Sequence, residues 1–265
     1  MISEKVLNGL PLDDIYIFDA HGHYGTISYM RQNDCYDGIV STLDQLGVNA
    51  ICVSTEVAFE TDNTFGNNQT LEATKKHPGR IYGYAVPTPW YDSSDFEGFI
   101  QNNPSILGIK IHASLQKSNV NDPGYIHAYE IADKYKLPVL FHAWSTENVI
   151  RVADIADKYK DAPMILSHVG FLNYDTKLKV IDAMKKHDNI FIDTAISSSY
   201  EGALEWIVHQ VGADRVLYGS DIPFFDCRHN LGKIALSKLS EMDKLKILSE
   251  NSMKIFRLPN AKETV

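Results

Sequence analysis

The sequence predicts a single-domain α/β fold of the (β/α)8, TIM-barrel type spanning residues 1–265, and three observations carry that expectation. Eight short apolar runs recur along the chain, amphipathic stretches separate them, and the 265 residues sit close to the ~250 that such a barrel typically needs. Strands of a parallel sheet covered by helices on both faces read as nearly continuous apolar runs. The runs are Ile15–Asp19, Ala50–Ser54, Ile81–Val86, Ile106–His112, Pro138–His142, Pro163–His168, Ile190–Thr194 and Val216–Asp221. Each is rich in Ile, Val, Leu, Phe or Tyr.

Between the runs the period changes. Gly124–Tyr135 sets Ile126, Tyr129, Ile131 and Ala132 at offsets that share one helix face, and Asn148–Tyr159 and Thr176–Lys186 repeat the pattern with charges opposite. The hexamer Ile131–Lys136 recurs as Ile155–Lys160, each time shortly before a proline and an apolar strand, as two similar βα units would be built. Met242–Phe256 reads as a closing amphipathic helix. Strand–helix alternation repeated this often argues for a parallel α/β sheet, and eight units favour a closed barrel over an open doubly wound one.

Composition narrows the partners. With 44% hydrophobic and 22% charged residues the chain can bury a core and stay soluble. A net charge of -9 repels polyanions, so neither nucleic acid nor an anionic membrane is an expected partner, whereas a small molecule is. No run approaches the ~18 apolar residues of a membrane span, and the acidic, Gly- and Pro-broken start MISEKVLNGLPLDD lacks the basic and apolar regions of a secretory signal. A cytoplasmic protein, with homo-oligomers a reasonable guess, is the expectation. Cys35, Cys52 and Cys227 are far apart and show no CxxC, so they read as reduced structural thiols. No GxSxG elbow, Walker A loop or GxGxxG occurs, which leaves nucleophilic serine chemistry and nucleotide binding without support.

The residues that carry chemistry stand where strands end. Asp19-Ala20-His21-Gly22-His23 closes the first run. Side chains at i and i+2 share a strand face, so His21 and His23 can converge, and two neutral imidazoles at that spacing are half of a zinc site. His112, His142, His168 and Asp221 end four further runs, so five of the 10 histidines occupy one kind of structural position. The other five, His77, His127, His187, His209 and His229, fall in helices or loops and read as ordinary polar residues. In a barrel of this kind the C-terminal strand ends face the active-site mouth.

This ordered set, with the phrases GIKIH, SHVG and YGSDIPF and the closing ILSENSMKIF, resembles the amidohydrolase superfamily, in particular its amidohydrolase 2 branch, over nearly the whole chain. The resemblance implies a mononuclear divalent site held by His21, His23, His142 and Asp221, with Zn2+ as the default ion and Mn2+ or Fe2+ also suited to a His3Asp set. It implies that Asp221 shuttles a proton and that His168 supports the metal-bound water or the substrate. Lys110 lies where binuclear relatives carry a bridging carbamylated lysine, but here it reads as a structural or substrate-binding residue. His112, Trp90 and Arg228 are further candidate substrate contacts, Glu56 is a loop residue able to reach the mouth, and Asp19 is placed to orient a ligand imidazole or cap the interior.

The leading expectation is metal-assisted hydrolysis of a small amide, lactone or ester-like substrate. The alternative is a metal-dependent non-oxidative decarboxylase of an aromatic or unsaturated acid, as in some relatives of the same branch. A non-catalytic ligand-binding barrel is a third reading, opposed by the retention of every proposed ligand.

Overall fold

A computed structural model describes residues 1–25, 36–90, 95–168, 174–195 and 200–258; Cys35 lies outside them. Eight strands follow in chain order, β1 (Phe18–Tyr24), β2 (Ala50–Thr55), β3 (Ile81–Ala85), β4 (Ile106–Ile111), β5 (Val139–His142), β6 (Met164–Ser167), β7 (Ile190–Asp193) and β8 (Val216–Leu217). All neighbours pair in parallel in the order β1 to β8. Backbone bonds from the last strand region to the first close the ring: Ala20 N to Tyr218 O at 2.8 Å, Asp221 N to His21 O at 2.7 Å and His23 N to Ile222 O at 2.7 Å. The chain is therefore a (β/α)8 barrel.

Helices α1 (Ile2–Leu7), α2 (Tyr36–Leu46), α3 (Val57–Glu60), α4 (Asn63–Lys76), α5 (Phe96–Gln101), α6 (Ile126–Tyr135), α7 (Thr146–Lys158), α8 (Tyr174–Lys186), α9 (Ala203–Val211), α10 (Cys227–Ala235), α11 (Glu241–Leu245) and α12 (Asn251–Ile255) accompany the strands. Their starts follow ordinary capping chemistry. Ser145 accepts from the Asn148 amide ahead of α7, and Asp62 accepts from that of Phe65 at α4. The closing helix expected over Met242–Phe256 is α11 and α12 joined through a π-helical turn, Lys246–Glu250. There Asn251 Nδ2 bonds the carbonyls of Ala213 and Val216, each at 2.7 Å, and so holds the entry to β8. No described helix is long and apolar enough to cross a membrane.

The core has two layers. One packs the helices on the outward strand positions, such as Ile51, Val53, Ile109, Val139 and Leu166. The other fills the lower barrel interior with Phe18, Ala20, Cys52, Tyr84, Leu140, Ile165 and Leu217. Two positions on along the same strands, the inward line changes character: Cys52 is followed by Ser54, Leu140 by His142 and Ile165 by Ser167. Packing thus plugs the bottom and leaves ionisable groups at the top.

The first strand differs from expectation. It runs Phe18–Tyr24 rather than Ile15–Asp19, because the histidines that interrupt the apolar pattern still belong to the ladder. Cys52 and Cys227 are buried free thiols, in keeping with a structural role.

Candidate metal centre

β1 does more than end in histidines. Its pairing with β2 slips by one residue between Asp19 and Gly22, a bulge that re-aims the strand as it reaches the mouth. Gly22 lets the strands approach closely there: a Cβ would stand 2.4 Å from Ile51 Cδ1, which would have to move aside. The bulge also breaks the alternation that would have put Asp19 in line with His21. Its Oδ1 instead accepts from the backbone N–H groups of His21 (3.1 Å) and Ser220 (2.9 Å), pinning β1 to the segment after β8. Asp19 fixes the backbone of the site and orients no imidazole.

Two functional positions are held in left-handed backbone, His168 at φ 57° and Asp221 at φ 60°. Such a conformation costs a non-glycine residue about 1–2 kcal/mol, so the fold holds both residues against a local preference. In this conformation both side chains line the cavity above the barrel.

Three buried ligand atoms meet at its base. His21 Nε2 lies 3.1 Å from His23 Nε2, and Asp221 Oδ1 lies 3.4 Å and 3.3 Å from them. Carboxylates stand at the opposite ring nitrogens, and with Nδ1 protonated toward them both Nε2 atoms turn inward as acceptors. His21 Nδ1 donates to Asp193 Oδ2 at 2.7 Å, and His23 Nδ1 lies 2.9 Å from Glu56 Oε1 and 3.1 Å from Ser54 Oγ. Both Nε2 atoms therefore present lone pairs, and a carboxylate oxygen presents a third. Three acceptors at that separation repel one another unless positive charge stands among them, and an N2O donor set backed by carboxylates is what a divalent cation takes. His21, His23 and Asp221 together fit a divalent metal ion.

Part of that positive charge comes from Lys110, whose Nζ lies 2.9 Å from His21 Nε2. Burial lowers its pKa to about 8 while Asp221, Asp193 and Glu56 pull the other way. Burial raises Asp193 to about 7 and Asp221 well above the carboxylate range, each opposed by Lys110. His21, His112, His142 and His168 are all driven well below the usual imidazole range, first by burial and then by neighbouring cationic groups, so they stand neutral. Lys110 is fully buried and is not among the described residues that line the cavity.

The cavity above this cluster has a volume of about 420 Å³. Its walls are mostly aromatic: His112 stacks on His142 (centroids 3.8 Å, 17°), His142 stacks with Trp144 (4.9 Å, 24°), and Phe224 packs edge-on to His23 (5.4 Å). His142 is thus at the site, 4.9 Å from His168 ring to ring, but its nitrogens are not among the three converging atoms. His168 Nδ1 donates to Ala195 O at 3.3 Å and lies 3.7 Å from Asp221 Oδ2.

Two expected substrate contacts are not among the described residues that line the cavity. Arg228 grips Asp226, the residue capping α10, at 2.6 Å on the surface, and its guanidinium is spent on that local pair. Trp90 is more than half exposed and is not a lining residue of the cavity. Glu56, between β2 and α3, is buried, stands 2.9 Å from His23 Nδ1 and lines the cavity. Asp193 and Gly219 were not singled out from sequence. Asp193 obeys the rule that found the others, a polar residue ending an apolar strand (FID). Gly219 carries no such signal.

Gly219 leaves room for the His21–Asp193 pair, since a Cβ there would sit 2.9 Å from His21 Cβ and 3.2 Å from Asp193 Cβ. Both of those atoms are rigidly tied to backbone. Gly219→Ala is expected to cost about 1–3 kcal/mol, as overpacking does, and to weaken metal binding; urea unfolding with and without Mn2+ reads both. An unchanged midpoint in both conditions removes the spacer role.

A family model described as amidohydrolase matches residues 18–258. No curated protein matches the chain. Among solved structures, it is similar to the 2,6-dihydroxybenzoate decarboxylase from Rhizobium (TM-score 0.74, 17% identity, 92% of this chain and 99% of that one). A dihydroxybenzoic acid decarboxylase from Polaromonas sp. JS666 with bound manganese and the inhibitor 2-nitroresorcinol is also similar (0.75, 17%, 94% and 98%). A third is a 5-carboxyvanillate decarboxylase from Novosphingobium aromaticivorans, also with manganese (0.73, 13%, 93% and 98%). At these identities the likeness is one of fold. The expectation of amide, lactone or ester hydrolysis is not supported: these similar structures are decarboxylases.

Proposed function

Because this chain belongs to the amidohydrolase family, we propose that it is a metal-dependent, non-oxidative decarboxylase that releases CO2 from an aromatic carboxylic acid. The observation that carries the reading is the pairing of the His21–His23–Asp221 acceptor cluster with a cavity walled by Trp144, Phe224, Phe225 and Leu115. An acceptor cluster calls for a cation that attracts a carboxylate, and an apolar, ring-lined cavity suits a planar ring.

His21, His23 and Asp221 would hold the ion, with His142 and His168 as further imidazoles lining the same cavity. Manganese is the first ion to load, since similar structures hold it. A divalent cation supplies there a positive charge that anchors the substrate's carboxylate end and stabilises negative charge as it develops. Everything else falls to the chain. Asp193 and Glu56 keep the two imidazoles in the tautomer that turns lone pairs inward. Trp144 and the phenylalanines exclude water from the ring. Asp221 delivers a proton to the ring carbon that bears the carboxylate; the carbon–carbon bond then breaks, its electron pair returns to the ring, and CO2 departs. His168, its Nδ1 3.7 Å from Asp221 Oδ2, lines the cavity beside that carboxyl group.

The test is CO2 release by the Mn2+-loaded protein from a panel of hydroxylated benzoates, followed by infrared detection of CO2 and by NMR of the decarboxylated ring. One acid should turn over with a 1:1 yield of the two products. A fully manganese-loaded protein that releases no CO2 from any acid in the panel would end the reading. In the same assay His142→Ala should lose bound manganese and activity together; full manganese content would remove His142 from the ligand set.

A further inference from the structure

One histidine of the ring cluster carries its proton on the other nitrogen. His21 and His23 each engage a carboxylate through Nδ1, and His168 donates from Nδ1 to the Ala195 carbonyl, which leaves Nε2 of all three as an acceptor. His112 is reversed. Its Nδ1 accepts the backbone N–H of Leu115 at 3.4 Å and lies 3.2 Å from Ser114 Oγ. A backbone amide only donates, so Nδ1 is bare and the ring proton sits on Nε2. Among the described residues no protein group accepts from that Nε2, while the ring is held flat against His142 and lines the cavity. A protonated Nε2 cannot ligate a metal, so this ring has a different use from its neighbours.

We propose that His112 is a specificity-determining residue whose Nε2–H donates a hydrogen bond to an oxygen substituent on the substrate ring, selecting an oxygenated aromatic acid over its unsubstituted parent. The proposal rests on the decarboxylase reading for its substrate class. A buried donor left unpaired by a ligand that lacks the matching oxygen penalises that ligand, which is how one polar group discriminates in an otherwise apolar pocket. The stack on His142 keeps the ring from turning away, and the Leu115 amide fixes which nitrogen donates.

The experiment titrates the Mn2+-loaded full chain with 2,6-dihydroxybenzoate and with benzoate, reading quenching of tryptophan fluorescence, to which Trp144 in the cavity contributes. His112→Phe keeps a stacking ring and removes the donor. It should raise the Kd of the dihydroxy acid about tenfold, leave that of benzoate within about twofold and leave manganese content unchanged. His112→Gln restores an N–H donor and should recover most of the lost affinity, which also guards against a folding defect in the first variant. Equal weakening for both acids, no weakening, loss of manganese, or no binding of either acid to the native protein overturns the proposal. If binding behaves as expected but no acid loses CO2, the role of His112 stands and the decarboxylase reading falls.

Discussion

Asp221→Asn should lower the turnover of the manganese-loaded protein by about three orders of magnitude or more, the scale on which loss of a general acid–base group is felt, while leaving the fold at least as stable. The two halves of this expectation come from different features of one residue. Asp221 Oδ1 completes the acceptor cluster with His21 and His23, and Oδ2 is the carboxyl oxygen left to carry a proton, 3.7 Å from His168. An amide cannot deliver that proton. Stability need not fall with it. At φ 60° Asn is as well tolerated as Asp, and burial in the metal-free protein already favours an uncharged side chain there, which the amide supplies. Stopped CO2 release with an unchanged or raised melting temperature is the expected pair of readings. Near-native turnover takes Asp221 out of the chemistry, and a collapsed melting temperature would mean that its carboxylate is structural.

Asp193→Ala should weaken manganese binding by about 10–100-fold, the usual effect of removing the partner of a ligating histidine, and excess Mn2+ should restore turnover. Its Oδ2 fixes His21 with a 2.7 Å bond, and its Oδ1 accepts the Ala195 N–H at 3.0 Å, so one carboxylate orients both the ligand ring and the start of the next loop. Without it His21 can rotate or reverse its tautomer, but no ligand is lost. Rescue by metal separates this positioning role from that of Asp221, where excess metal should not help. Equal manganese affinity in mutant and native protein, by isothermal titration, contradicts the role assigned to Asp193.

Much of this site was legible in the chain because a parallel barrel follows a local rule. An apolar run that ends in a polar residue marks a strand reaching the mouth, and that rule reaches His112, His142, His168 and Asp221 without reference to their neighbours in space. The same rule extends to Asp193, which closes Ile190–Asp193 as plainly as His142 closes Val139–His142. In the expected run Ile190–Thr194 it is the last residue but one, and its burial behind His21 is a property of the closed ring. Loop residues were harder. Arg228 satisfied itself two residues away on Asp226, and Glu56 turned inward to His23; nothing local distinguishes the two.

The chain by itself determined eight βα units and the residue types at the end of each strand, because hydrophobic period and strand-end polarity are properties of neighbouring residues. Only the tertiary structure decided which of those residues form one site and in what state. The last strand region had to bond the first to bring Asp221 to His21 and His23, across some two hundred residues. The bulge at Gly22 had to re-aim β1, and the gap at Gly219 had to admit the Asp193 carboxylate behind His21. Proton positions, finally, depend on which atom faces each ring: a carboxylate behind His21 makes it an acceptor, and an amide beside His112 makes it a donor. Ring closure and strand stagger fix the contacts between strands, and no periodicity along one strand encodes what stands across the barrel from it.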